Sequence, residues 1–169
     1  DAGVEVMGVN VYQNGEPTLQ PTALDAWEST VKSIGLLLRG SSDEGYIFDV
    51  VVTNLTLSIL VTGFEAYCKT RFLEIEQEGI KPNIDALVSR LFSKKEREVV
   101  EPDIIASEAE VNHTSFLQKI IEKRRIDFQN FKDCKRAYNK AYGIKFGEID
   151  VPSNDLQLLQ SVIRYRHRI

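Results

Sequence analysis

The sequence predicts an all-α fold: a helical bundle preceded by an N-terminal extension. Apolar residues recur at steps of three and four along most of residues 47–75 and again along residues 131–141, as one buried helical stripe requires. Helix-stop signals follow these patterns, Gly79 and Pro82 after the first and Gly143 after the second. We therefore expect residues 1–42 to form an N-terminal extension with a first helix that packs on the bundle, and residues 43–169 to form the helical domain.

The N-terminal extension carries weaker signals. Residues 4–12 alternate loosely between apolar and polar types, and the turn formers Asn14, Gly15 and Pro17 follow them. A short edge strand and an ordered arm both fit this pattern. Helical spacing begins after Pro21 and ends at Gly40, with apolar positions at Ala23, Leu24, Trp27, Val31, Ile34 and Leu38.

The longest helix is expected to run from Asp43 or Gly45 to Glu78. Residues 50–53 are β-branched and locally favour a strand, but a pattern of this length exceeds ordinary strands. The same region holds the best candidate for a membrane span, residues 47–64. Five polar residues interrupt it, so we expect no membrane segment and a cytoplasmic protein. These residues are Asp49, Thr53, Asn54, Thr56 and Ser58.

Shorter helices are predicted at residues 84–92, 115–123 and 131–142, the last of them capped by Asn130. A final helix is expected from Asp155 to the end of the chain, with Asn154 and Gln157 as a variant capping box. The Lys- and Glu-rich residues 93–101 are expected to form a solvated face or a mobile loop.

Composition narrows the function classes. The two cysteines, Cys68 and Cys134, lie far apart in helical patterns, which indicates two reduced core thiols and not a zinc site or a disulfide framework. We expect no cofactor and no metal.

The net charge of −4 argues against general nucleic-acid binding. However, residues from Lys119 onward hold 12 Lys or Arg and 6 Asp or Glu, a net of +6, against −10 before it. Folding could either gather these cations on one face or interleave the two halves.

The end of the chain holds the candidate chemistry. Leu156, Leu159 and Ile163 form a stripe, and three further residues along it lies Arg166, next to His167. A guanidinium on a packing face needs a partner, because an unpaired buried charge is very costly. The alternative is structural: cations near a helix C-terminus are favoured by the helix dipole, and an arginine can bury its stem while its head stays in water.

Three segments resemble the HEPN superfamily (higher eukaryotes and prokaryotes nucleotide-binding), in its bacterial branch of RNA-cleaving toxins. The sequence Arg-His-Arg-Ile at residues 166–169 matches the first four positions of a signature that starts with arginine and ends in histidine. Residues 64–69 are similar to the long early helix of that family, and residues 128–144 to the segment before its signature helix. The resemblance covers residues 45–169, and it places the family's catalytic histidine two residues past Ile169.

This resemblance implies a metal-independent endoribonuclease of a toxin–antitoxin or defence system, working as a homodimer on RNA, with an antitoxin protein as a further partner. It assigns Arg166 the role of phosphate clamp, His167 that of a supporting polar residue, and Glu65 that of orienting Arg166. A chain ending at Ile169 is then expected to be inactive or nearly so.

Two other functions fit the sequence. One is a catalytically inactive HEPN-type module for dimerisation or partner binding, and the other is an unrelated helical interaction domain. Tyr138 and Tyr142 are candidates for stacking on bases, although such aromatic residues belong more often to a core or an interface. His113, in a polar segment, is expected at the surface.

Overall fold

The computed structural model describes residues 10–13, 16–19, 22–40, 45–98 and 101–166. The fold is all-α, as predicted, and more than half of the chain is helical. Strands β1 (Asn10–Gln13) and β2 (Glu16–Leu19) pair antiparallel, with Gln13 opposite Glu16. Of the strand expected at residues 4–12, only residues 10–12 are among the described residues. The turn formers Asn14 and Gly15 are not. Eight helices follow: α1 (Ala23–Gly40), α2 (Tyr46–Gln77), α3 (Ile84–Leu91), α4 (Lys94–Glu98), α5 (Glu101–Val111), α6 (Phe116–Glu122), α7 (Phe131–Tyr142) and α8 (Ser153–Arg166).

The chain divides into two compact units, and the boundary lies inside α2. Unit 1 is Asp1–Arg71 and unit 2 is Phe72–Ile169. Unit 1 therefore extends past the boundary expected after residue 42, because α1 packs on the first part of α2. The helix predicted from Asp43 or Gly45 to Glu78 is confirmed as α2, and its β-branched residues 50–53 are helical.

In unit 1, α1 and α2 approach closely at a glycine. A Cβ built on Gly63 would stand 2.2 Å from Oγ1 of Thr30, so glycine alone fits this crossing. The rings of Trp27 and Tyr67 meet nearby with centroids 6.2 Å apart. Thr22 starts α1 through a reciprocal cap, in which its backbone N–H donates to Asp25 Oδ2 at 2.9 Å and its Oγ1 accepts from the Asp25 N–H at 3.2 Å. The expected first helix is confirmed.

Unit 1 leaves much apolar surface exposed. On α1 the exposed residues Leu24, Val31 and Leu38 are spaced by seven, and on α2 Ile47, Val51 and Leu55 are spaced by four. By length and composition α2 could cross a membrane in spite of its interrupting polar residues, and 17% of its apolar window is buried. The core helix of a soluble protein passes the same test, so this property does not assign the chain to a membrane.

Unit 2 has a core of aromatic rings around Phe72, which is fully buried. The rings of Phe128, Tyr138 and Tyr142 meet Phe72 edge-on, with centroids 5.2 to 5.6 Å away. The Tyr142 hydroxyl donates to the Phe72 carbonyl oxygen at 2.6 Å, which satisfies the one polar group that this ring brings inward. Burial raises the pKa of Tyr142 well above its usual range, since the ionised form would lose its hydration.

Several helices of unit 2 differ from the sequence-based prediction. The helix α7 has its predicted bounds, with the Asn130 side chain capping its start and Gly143 in a left-handed conformation at its end. By contrast, α5 was not predicted. Residues 94–98 form the short helix α4, which buries none of its side chains, so the expected solvated face is present as a helical turn and not as a loop. The last helix begins at Ser153 and not at Asp155, so Asn154 lies inside its first turn.

The cysteine prediction is confirmed. Cys68 in unit 1 is 2% exposed and Cys134 in unit 2 is fully buried, and neither forms a disulfide. Small apolar side chains fill these positions, and neither sulfur is offered to a ligand.

Candidate functional site

The site around Arg166 rests on the loop that precedes α7. Asp127 Oδ1 accepts the backbone N–H groups of Gln129 at 2.9 Å and Asn130 at 3.2 Å. The Asp127 N–H in turn donates to Asp133 Oδ2 at 3.0 Å, and the other Asp133 oxygen accepts from Arg90 Nη2 at 3.0 Å. This chain of contacts ties the loop to α3 and α7, which pack together, and it fixes the backbone position of Gln129.

Arg166 meets that loop from the end of α8. It is half-buried, whereas Arg164 and Tyr165 are exposed, and Ile163 one turn earlier is 3% exposed. The Arg166 side chain therefore points to the packing side of α8, as the stripe predicts. Its Nη1 donates to Oε1 of Gln129 at 2.9 Å.

The chemistry of this pair matters more than its strength. Gln129 is a neutral amide, so it fixes the direction of the guanidinium without neutralising its charge. A guanidinium carries five N–H donors in a planar fork, which makes it a preferred partner of phosphate oxygens. Arg166 is thus oriented by the protein and still able to bind an anion.

A small cavity of about 250 Å³ lies where the start of α7 faces α8, and neither Gln129 nor Arg166 lines it. Its lining residues are Asn130, Phe131, Lys132, Gln160, Ile163 and Arg164. Two of these six side chains are cationic and none is acidic, so the surface that follows the Gln129 loop is positively charged.

The other predicted site residues have separate surroundings. Glu65 lies on α2 in unit 1, half-buried and engaged in a contact of its own, so its role towards Arg166 stays a prediction. His167 lies outside the described residues. Tyr138 is 5% exposed and belongs to the core, whereas Tyr142 is half-buried with its hydroxyl bound to the Phe72 carbonyl oxygen. His113 is exposed in the turn after α5, in agreement with its expected surface position.

Among the described residues of unit 2, Arg125 is also half-buried, and its environment contrasts with that of Arg166. Arg125 Nη1 donates to Glu96 at 2.9 Å, its Nη2 contacts Glu101, and its guanidinium lies 4.9 Å from the ring centre of Phe92. Two backbone and side-chain hydrogen bonds from Ser93, together with Arg125, lower the pKa of Glu96 to about 2. Two carboxylates thus neutralise Arg125, which makes it a structural link between α4, α5 and the segment before α7.

The residue that sequence analysis missed is Gln129. Its signal was its place directly before the helix-capping Asn130, in a loop whose Asp127 side chain could order the backbone. Over the described ranges, no group of three or more His, Cys, Asp or Glu side chains is arranged to hold a metal ion. Comparison of the chain with protein-family models, with curated proteins and with solved structures found no match.

Proposed function

We propose that this chain is an RNA-binding module of the HEPN type and that, with a histidine following Ile169 as the resemblance implies, it cleaves RNA without a metal. The observation that supports this proposal is the orientation of Arg166 by a neutral amide, which leaves its charge for a phosphate. The proposed setting is a cytoplasmic toxin–antitoxin or defence system, with an antitoxin protein as a further partner.

The chemistry needs few groups. RNA carries its own nucleophile, the 2′-hydroxyl, and a histidine can take its proton near neutral pH. The hydroxyl oxygen then attacks the adjacent phosphorus, and negative charge builds up on the phosphate oxygens. Arg166 would hold those oxygens and stabilise that charge. His167 would assist as a polar neighbour, and Glu65 would orient the arginine in the assembled site.

Cleavage of single-stranded RNA in EDTA tests this function. The protein carrying its natural continuation past Ile169 is expected to cut an oligoribonucleotide and to spare the matching DNA, which lacks the 2′-hydroxyl. Arg166→Ala is expected to lower the rate about a hundredfold or more, the usual scale for loss of one charge-stabilising donor. Arg97→Ala is the control, because it removes the same side chain from an exposed position of α4 that lines neither of the cationic cavities. Dependence on added magnesium, or full activity of Arg166→Ala, would refute the nuclease.

The role of Gln129 can be separated from that of Arg166. Gln129→Glu keeps a hydrogen-bond acceptor but adds a carboxylate that neutralises the guanidinium, so RNA affinity should fall. Gln129→Ala frees the arginine without neutralising it and should mainly lower the turnover number, since the clamp loses its direction. Equal effects of the two variants on affinity would mean that Gln129 acts only on stability.

A second function, the catalytically inactive dimerisation module, is favoured by a separate observation in unit 1. The exposed line Leu24, Val31 and Leu38 has the seven-residue spacing that packs against another helix. A second copy of the chain is the simplest partner, since symmetric dimers are the commonest closed assemblies. Val31→Glu should then shift the mass from light scattering towards the monomer. Val111→Glu, at a residue 79% exposed in unit 2, is the control. A monomer for the unaltered protein at all concentrations would rule out this module.

A further inference from the structure

The solvent-facing side of α7 carries an uninterrupted row of cations. Its buried side chains are Phe131, Cys134, Ala137, Tyr138 and Ala141. The exposed positions that remain on α7 are Lys132, Lys135, Arg136 and Lys140, with the half-buried amide Asn139 between them. We define these four charged residues as the α7 cation row.

The acidic side chain of α7, that of Asp133, is engaged in contacts of its own. It is only partly exposed, and its two oxygens accept hydrogen bonds from Arg90 and from the Asp127 N–H. Within the part of the chain that the structure describes, no ion pair involves any of the four cations of the row. Their charges are therefore unopposed by neighbouring carboxylates, which is unusual for a chain with a net charge of −4.

The row ends at a concave site and not on a flat surface. A cavity of about 250 Å³ lies between the second half of α7 and the turn after it, with Lys135, Arg136, Lys140 and Lys145 among its lining residues. No acidic residue lines it, although Lys145 Nζ lies 2.7 Å from Glu148 on its outer side. Its apolar wall is Phe146, whose ring is held edge-on by Phe131 at 5.9 Å and Tyr138 at 5.5 Å.

The other end of the row lies close to the loop that contacts Arg166. Lys132 lines a cavity together with Arg164, and α7 begins directly after the loop that carries Gln129, the partner of Arg166. From Lys132 to Lys140 the helix rises about 12 Å, which matches about three nucleotides of a stacked strand at 3.4 Å each. A ligand that used the whole row would have to be a polyanion with regularly spaced charges.

From this geometry we propose that the α7 cation row binds the phosphate backbone of a single-stranded RNA and leads it from the Phe146 cavity to Arg166. The inference rests on the proposed RNA function but concerns binding alone. Contacts to the phosphate backbone do not distinguish one base from another. This surface therefore contributes affinity and positions the strand, but it gives no sequence specificity. An acidic protein segment is the competing ligand, and the apolar wall at Phe146 favours a nucleotide, which brings an apolar face as well as a phosphate.

Binding can be measured apart from cleavage with a 2′-O-methyl oligouridylate of about 12 nucleotides, a length within the range of single-strand binding sites. This probe lacks the nucleophile and cannot be cut. The unaltered protein is expected to bind it, in a fluorescence anisotropy titration, with an affinity that falls steeply as salt rises. The triple variant Lys135→Gln, Arg136→Gln and Lys140→Gln should bind about tenfold or more weakly, and the slope of log affinity against log salt should shrink by about 2.

The matched control changes three exposed cations of α4, Lys94→Gln, Lys95→Gln and Arg97→Gln, and alters the net charge equally. It should bind nearly as the unaltered protein does. If the α7 and α4 triple variants lost affinity equally, overall charge alone would explain the loss and the proposal would be overturned. An unaltered protein that did not bind the probe would overturn it as well. Competition by polyglutamate as strong as that by polyuridylate would assign the row to an acidic protein partner instead. Binding through the row without any cleavage would leave this inference standing while the proposed nuclease failed.

Discussion

Unit 1 and unit 2 expose opposite kinds of surface. Unit 1 leaves aliphatic side chains of α1 and the first part of α2 in contact with water, among them Ile47 at 80% and Leu36 at 67% exposure. Unit 2 collects its aromatic rings around Phe72 and exposes the cations of α7. A helix that is apolar on most sides is normally covered. The difference therefore lies in what each unit leaves uncovered: aliphatic side chains in the described part of unit 1, and the cations of α7 in unit 2.

The largest expected effect tests the core of unit 2. Phe72→Ala removes the ring against which Phe128, Tyr138 and Tyr142 pack, and it should lower the free energy of unfolding by about 3–5 kcal/mol, since it leaves a cavity in a fixed aromatic cluster. Denaturant titration monitored by circular dichroism measures this loss. Val51→Ala in unit 1, at a residue 50% exposed, should cost well under 1 kcal/mol in the same titration. Similar costs at the two positions would show that unit 1 buries Val51 in solution.

The next effect tests the helix crossing within unit 1. Gly63→Ala places a methyl group 2.2 Å from Thr30 Oγ1, so α1 and α2 must move apart, at a cost of about 1–3 kcal/mol. Gly35→Ala is the matched control on α1, because its new Cβ meets only Arg39 at 3.8 Å. That variant should stabilise the protein by about 0.5–1 kcal/mol, since alanine favours a helix over glycine. A Thr30→Ala background should recover part of the Gly63→Ala loss. The melting temperatures of these variants and of the unaltered protein measure the changes. A neutral Gly63→Ala would contradict the close approach of α1 and α2 at this glycine.

The success of sequence analysis depended on the strength of each local pattern. The helices α2 and α7 were predicted almost to the residue, because a long apolar stripe and matched caps define them. The helix α5 was missed since its buried side chains are only Ile105 and Ala109, while Ile104 and Val111 are exposed. Pro102 in the first turn after Glu101 was the available signal. The α4 helix likewise had a capping box, Ser93 with Glu96, hidden in a charged run.

The candidate site shows where sequence analysis ends. The inward direction of Arg166 followed from helical periodicity, and it agrees with the half-buried position of that residue. Its partner Gln129 lies 37 residues earlier, and periodicity within one helix cannot indicate which distant loop meets it. The charge imbalance left two alternatives open, and each holds for part of unit 2. Lys123 and Arg125 pair with carboxylates of the acidic part, Glu108, Glu96 and Glu101, whereas four other cations gather on the exposed face of α7. That outcome depends on Asp133 turning towards Arg90, a contact between α3 and α7 that no local pattern encodes.

The smallest expected effect concerns the caps at the start of α1 in unit 1 and of α4 in unit 2. In unit 1 the Thr22 cap lowers the pKa of Asp25, mainly through the hydrogen bond from the Thr22 side chain. In unit 2 the bonds from Ser93, with Arg125, lower the pKa of Glu96 to about 2, and this carboxylate also links α4 to the rest of the unit. A folded-state pKa below the unfolded value means that the ionised form stabilises the fold. This contribution is complete above the unfolded value of 4.5 and is lost as the pH falls from there towards 2.

Glu96→Gln should therefore flatten the dependence of the melting temperature on pH between 4.5 and 2, because glutamine cannot lose the stabilising charge in this interval. Glu98→Gln is the control on the same helix: it removes an equal charge from an exposed ion pair with Lys94, 3.9 Å long, and leaves the capping box intact. That variant should keep the slope of the unaltered protein. If Glu96→Gln kept it as well, the Glu96 carboxylate would not hold α4 in place, and the capping box would contribute nothing to the acid sensitivity of unit 2.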